Sequence, residues 1–121
     1  MTVKETDILN EIVVRAKAND EHTLKRSRDF WDQPADEGED DALNIEFRQA
    51  YMAVAQQIAQ DWGPPDFQGG WEAEGFPEWS QGIEMAYWIR GDYVAYVAFS
   101  HEDKELPMTV TLGAVPKEEA A

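Results

Sequence analysis

Two segments rich in aromatic and aliphatic residues, Gly82 to Arg90 and Tyr93 to Ser100, flank the pair Gly91-Asp92. No other feature narrows the accessible folds as much. Glycine accepts positive φ, so this pair can reverse the backbone tightly, and the spacing predicts a β-hairpin with its tip there. The register then sets Arg90 opposite Tyr93, Ile89 opposite Val94, Trp88 opposite Ala95 and Tyr87 opposite Tyr96. Alternation places Ile83, Met85, Tyr87, Ile89, Val94, Tyr96 and Ala98 on one face. The other face receives Glu84, Ala86, Trp88, Arg90, Tyr93, Ala95, Val97 and Phe99. Both faces are largely apolar, so the hairpin is central and needs cover on each side.

A helix supplies part of that cover. From about Asp41 to Trp62, the residues Leu43, Phe47, Tyr51, Val54, Ile58 and Trp62 recur every three or four positions as one apolar stripe. Gly63 is suited to cap it, and Pro64-Pro65 prevents its continuation. The expected docking face is the one bearing Met85, Tyr87, Ile89, Val94 and Tyr96, joined by Met108, Val110 and Leu112. An earlier helix is expected from about Thr6 to Ala18, where Ile8, Leu9, Ile12, Val13 and Ala16 share a face and Thr2 with Glu5 forms a capping box. Its continuation from Glu21 to Trp31 carries Leu24, Phe30 and Trp31, with Lys25, Arg26 and Arg28 pairing with neighbouring carboxylates. A short strand is expected to begin at Trp71 to Glu74, and a last strand runs from about Leu106 to Val115, with Pro107 suiting an edge position. The fold class is therefore α+β: two to three N-terminal helices packed on an antiparallel β-meander of three to four strands. One domain spans 1–121, with frayed ends at about 1–5 and 116–121.

Charge bounds the function. The chain has 25 Asp and Glu against 10 Lys and Arg, a formal charge of −15. Nucleic acid and anionic membrane surfaces would be repelled, which excludes both as partners and favours a basic protein. Between Arg48 and Arg90 there is no basic residue, while Asp61, Asp66, Glu72, Glu74, Glu78 and Glu84 fall in that interval. Cysteine is absent, so disulfides and thiolate chemistry are excluded. The start of the chain lacks the basic-then-apolar layout of a signal peptide, and no apolar run reaches the roughly 18 residues of a membrane span. A cytoplasmic protein is expected.

Catalysis finds little material. His22 and His101 are the only histidines, and neither sits in a serine–histidine setting. Three adjacent residues, His101, Glu102 and Asp103, seldom converge on one ion, and no calcium-loop register fits: counted from Asp32 the third position is Pro34, and counted from Asp36 it is Gly38. Gly69-Gly70 precedes no helical pattern, so it is not a phosphate loop. The expectation is a protein that is not an enzyme and that uses no cofactor or metal.

Two acidic segments remain as contact candidates. The first is the loop Asp32 to Asp41, with Asp36, Glu37, Glu39 and Asp40; its last acids also favour the start of the following helix. The second is Asp66 to Ser80, where Trp71, Glu72, Glu74, Glu78 and Trp79 combine aromatics with carboxylates, as binding hot spots often do. In general profile the chain resembles the small, acidic, cysteine-free immunity proteins that neutralise basic toxins, often nucleases. That resemblance implies an inhibitor that masks a cationic surface with carboxylates and aromatics. A secretion chaperone or adaptor of an effector and a DNA-mimic regulator are the alternatives. A homodimer is also expected, through the Trp88 face or an edge strand, because two helices leave apolar surface to cover.

Overall fold

The computed structural model describes residues 7–9, 20–34, 36–74, 76–77, 82–101 and 107–117. The elements are β1 (Asp20–Arg26), α1 (Glu37–Trp62), β2 (Phe67–Gly70), β3 (Glu84–Arg90), β4 (Tyr93–Ser100) and β5 (Thr109–Pro116). The strands form one sheet in the order β1-β5-β4-β3-β2, antiparallel at every junction. The class is α+β, with one long helix and five strands among the described residues. Asp7, Ile8 and Leu9 are helical, and the rest of the expected first helix lies outside the described residues.

The central hairpin has the register that its sequence predicts, from Arg90 opposite Tyr93 to Tyr87 opposite Tyr96. Gly91 takes φ 61° at the tip. The face that α1 covers is the opposite of the one expected. Phe47, Tyr51, Ala55 and Ile58 pack against Ala86, Trp88, Ala95, Val97 and Phe99, together with Met108, Val110, Leu112 and Ala114. Two features of the side chains explain this. Ala86, Ala95 and Ala114 are small enough to let a helix approach, and the Trp88 indole N–H donates to the Gly63 carbonyl at the helix end, at 2.9 Å. Tyr96 instead needs a polar partner for its hydroxyl and finds one on the far face. Trp88 and Phe99 are thus buried within the chain, and that face is not available to a second copy.

The far face gathers Met85, Val94, Tyr96, Ala98 and Val115, with Phe67, Phe76 and Tyr87 against them. Tyr96 stands opposite Gly113 of β5, whose own neighbour on β1 is Glu21. The phenol lies across the bare glycine and donates to Glu21 Oε1 at 2.8 Å. A Cβ at position 113 would sit 2.5 Å from Tyr96 Cζ and 2.9 Å from Cε1, so the ring occupies the space a side chain would need.

Other boundaries differ from the sequence expectation. Asp20–Arg26 is a strand rather than a helix. Leu24 is the only apolar residue between Glu21 and Arg28, so no helical face exists to bury, whereas a polar strand suits a sheet edge. The register slips between Thr23 and Lys25, a bulge that bends this edge. β5 is interior, flanked by β1 and β4, so Pro107 precedes the strand instead of marking an edge. Pro116 ends β5, and the Lys117 N–H donates to the Asp92 carbonyl at 2.7 Å, so this part of the tail is held against the hairpin turn. The helix ends as expected, with Gly63 at φ 88° and its N–H donating to the Ala59 carbonyl at 2.8 Å.

Candidate protein-binding surface

The first acidic segment is largely absorbed by the helix it precedes. α1 starts at Glu37, not near Asp41, because Asp36 is its N-cap and Oδ1 accepts from the Glu39 N–H at 2.8 Å. Glu37, Glu39 and Asp40 occupy the first turn, where the helix dipole favours negative charge. Glu39 also takes a two-pronged bond from Arg28, Nη2 to Oε1 at 2.6 Å and Nε to Oε2 at 3.0 Å. Arg28 in turn donates through Nη1 to the carbonyls of Asp29 and Gln33, each at 2.7 Å, and stacks 4.7 Å from the centre of the Phe30 ring. The bond to Glu39, with the charges of Glu39 and Asp36, raises the pKa of Arg28 above its ordinary value despite some opposing desolvation. Asn44 bonds the Asp40 carbonyl at 2.9 Å and its carboxylate at 3.4 Å. Of this group, Glu37 has no such engagement among the described residues.

The second segment is built differently. The short strand expected to begin at Trp71 to Glu74 lies earlier: β2 is Phe67–Gly70, and Trp71, Glu72 and Glu74 fall in the turn that follows. Backbone bonds hold that turn: Trp71 N–H to the Ile83 carbonyl at 2.9 Å, Ala73 N–H to Gly70 at 2.9 Å, and Phe76 N–H to Ala73 at 3.2 Å. Gly69 lies close beneath it: a Cβ there would sit 3.1 Å from Ala73 Cβ, a tight contact. Phe76 anchors the segment edge-on to Phe67 at 6.2 Å, and Phe67 stacks on Tyr87 at 5.6 Å. The anchoring leaves the side chains of Trp71, Glu72 and Glu74 to solvent, with Trp71 64% exposed. Glu78 and Trp79 lie outside the described residues.

Cations among the described residues are mostly committed elsewhere. Lys25 pairs with Glu46 at 3.4 Å, Arg26 with Asp29 at 3.4 Å, and Arg48 with Glu84 at 2.9 Å. Arg90 lies 4.3 Å over the Trp62 ring. Neither Glu72 nor Glu74 has a basic partner among the described residues. The two acidic segments are not brought together, because Arg28 holds Glu39 beyond β1 while Trp71 follows β2, at the opposite edge of the sheet. That separation is about four strand spacings, on the order of 19 Å.

No group of three or more metal-ligating side chains converges among the described residues. His101 packs edge-on against Phe30 at 5.8 Å, and Glu102 and Asp103 lie outside the described residues. His22 is exposed on β1. Two surface features were not expected from the sequence. Ile45 and Met52 are exposed on α1, 59% and 49%, and Met52 Sδ accepts from Gln68 Nε2 of β2 at 3.7 Å. Their seven-residue spacing outside the main apolar stripe is the signal that could have found them. No described helix is long and apolar enough to cross a membrane. Comparison with known protein families, curated proteins and solved structures finds no match.

Proposed function

We propose that the chain is a non-enzymatic protein-binding module of the immunity or antitoxin type, which masks a cationic surface of a basic toxin. The observation that carries this reading is the turn after β2. There an exposed tryptophan stands beside two carboxylates with no cation partner among the described residues, on a backbone fixed by three hydrogen bonds. Asp36, Glu39 and Asp40 have hydrogen-bonded structural uses, whereas Glu72 and Glu74 have none among the described residues. A rigid exposed aromatic surrounded by uncompensated charge fits a partner that brings cations for steering and a cavity for the ring.

The test starts from the basic protein that co-purifies with the chain. Expressed alone it is expected to arrest growth, and expressed with the chain it is not. Replacing Glu72 and Glu74 by Lys shifts the local charge by two units each, four in all. The change is expected to slow association sharply at low ionic strength, with the gap from wild type narrowing as salt screens both proteins. Trp71→Ala is expected to act on dissociation and to leave the salt dependence nearly intact. A harmless partner bound equally well by the charge-reversed variant would refute the reading.

A further inference from the structure

The two edges of the sheet are not equivalent. β1 carries Glu21, Lys25 and Arg26 and a bulge, features that discourage pairing with another strand. β2 has no charged residue, no proline and no register slip between Phe67 and Gly70. Its outward backbone groups can be identified. The two-residue turn makes Arg90 and Tyr93 a bonded pair, so Glu84, Ala86, Trp88 and Arg90 bond β4 while Met85 and Tyr87 bond β2. Phe67 and Gly69 answer them, and Trp71 continues the series by donating to Ile83. Gln68 and Gly70 therefore point their N–H groups away from the sheet, with the Gln68 carbonyl beside them. The Gly70 carbonyl is already taken by Ala73. Nothing in the packing demands glycine at 70, since a Cβ there would meet neighbours only at ordinary contact, 3.4 Å or more. A bare backbone at an edge is a place where another chain can approach closely.

We infer that β2 is a docking edge for an extended segment of a basic partner, which adds a sixth strand through Gln68 and Gly70. This rests on the basic-partner reading above and names how that partner is held. Charge decides the occupant. A second copy pairing antiparallel through Gln68 and Gly70 would bring Asp66 and Glu72, which flank β2, close to Glu72 and Asp66 of the other chain, and like charges brought together are destabilising. A segment carrying Lys or Arg there meets the exposed Glu72 and Glu74 favourably, while Asp66, whose Oδ2 accepts from the Ile89 N–H of β3 at 2.7 Å, adds its charge at the other end of β2. Its apolar side chains on the helix side would cover Met52, which stands exposed beside Gln68.

The experiment uses the full chain, labelled with nitrogen-15, and three six-residue probes of alternating valine and threonine. One probe is flanked by lysine, one by glutamate, and one is the lysine peptide N-methylated on the edge that would pair. The lysine peptide is expected to shift the Gln68 and Gly70 amide signals and slow their exchange with solvent. The glutamate and N-methylated peptides should bind about tenfold more weakly or worse. Gln68→Pro should abolish the effect while leaving the rest of the spectrum in place, because that N–H makes no bond within the sheet. If this variant fails to fold, the N-methylated probe decides the matter alone. Shifts confined to Trp71, Glu72 and Glu74, unaffected by N-methylation, would overturn strand docking while leaving a basic partner standing. Equal binding of the glutamate peptide would overturn the charge argument as well. A dimer in sedimentation that Gln68→Pro dissolves would show that a second copy is the occupant and overturn the proposal.

Discussion

Gly113→Ala separates two physical arguments by sign. The backbone at 113 is not in the left-handed region, so an alanine is conformationally allowed. On entropy alone the change would stabilise the protein by about 0.4–1 kcal/mol, through the unfolded chain. The fold says otherwise. The new methyl group would sit 2.5 Å from Tyr96 Cζ, in a ring that is 5% exposed and has little room to withdraw. Overpacking of this kind costs about 1–3 kcal/mol. A displaced ring also loses its bond to Glu21, worth about 1 kcal/mol because that carboxylate is solvated. Offsetting the entropic gain leaves a net loss of roughly 1.5–3 kcal/mol. Urea unfolding followed by tryptophan fluorescence reads this directly. Tyr96→Ala alone should cost about 3–5 kcal/mol, and in the double variant the alanine at 113 should no longer be harmful. A Gly113→Ala protein as stable as wild type, or a double variant whose losses simply add, would refute the reasoning.

Ile58→Ala, at the centre of the helix contact, should cost about 2–5 kcal/mol in the same assay. Asp36→Ala should cost about 0.5–2 kcal/mol through the lost cap and leave the affinity for a basic partner unchanged. Alkaline stability tests the buried phenols. Burial pushes the pKa of Tyr51 up, with the charge of Glu84 adding, and that of Tyr96 up, with the charge and hydrogen bond of Glu21 adding. Unfolded tyrosine ionises near pH 10, so the folded protein holds the extra protons above that point. This stability is fully present below about pH 10 and is lost as pH rises towards the folded values, at about 1.4 kcal/mol per pH unit for each group. Unfolding curves between about pH 10 and 11 should therefore fall less steeply in Tyr51→Phe than in wild type, by about that amount. Trp71→Ala, by contrast, should change stability by no more than about 0.5 kcal/mol, since the side chain is mostly in water.

The parts of the fold legible in the sequence are those where one local signal has no rival. Gly91-Asp92 between two apolar runs fixed the hairpin register, and Gly63 before Pro64-Pro65 fixed the end of α1. Where two readings were locally equal, the sequence alone could not choose. Both hairpin faces are apolar, so alternation could not say which one meets the helix; that depends on alanine size, on the indole bond to Gly63 and on the phenol of Tyr96 reaching a residue 75 positions away. Asp20–Arg26 carries no strand signal in the sequence because an edge strand with one apolar residue has neither period, and its pairing with β5 joins segments far apart in the chain. Pro107 pointed to an edge only because that remote strand was not foreseen.

For the contact candidates, the same carboxylate-rich composition has two origins that only the fold separates. Asp36, Glu39 and Asp40 look like an interaction motif in the sequence, yet a cap, an arginine fork and an asparagine account for them. Glu72 and Glu74 are fewer and less conspicuous, but the turn that bears them turns outward and pairs them with no described cation. The difference follows from what each segment precedes. Acids ahead of a helix satisfy exposed N–H groups and a dipole, so their charge is used locally. Glu72 and Glu74, after an edge strand, find no such donors among the described residues, and their field extends into solvent next to backbone groups that no described strand pairs. Charge and hydrogen-bonding groups that no other described residue uses mark one end of β2 as the place where a basic partner has most to gain. That is why Glu72, Glu74, Trp71, Gln68 and Gly70, and not the richer acidic run before α1, are the residues whose substitution should separate binding from stability.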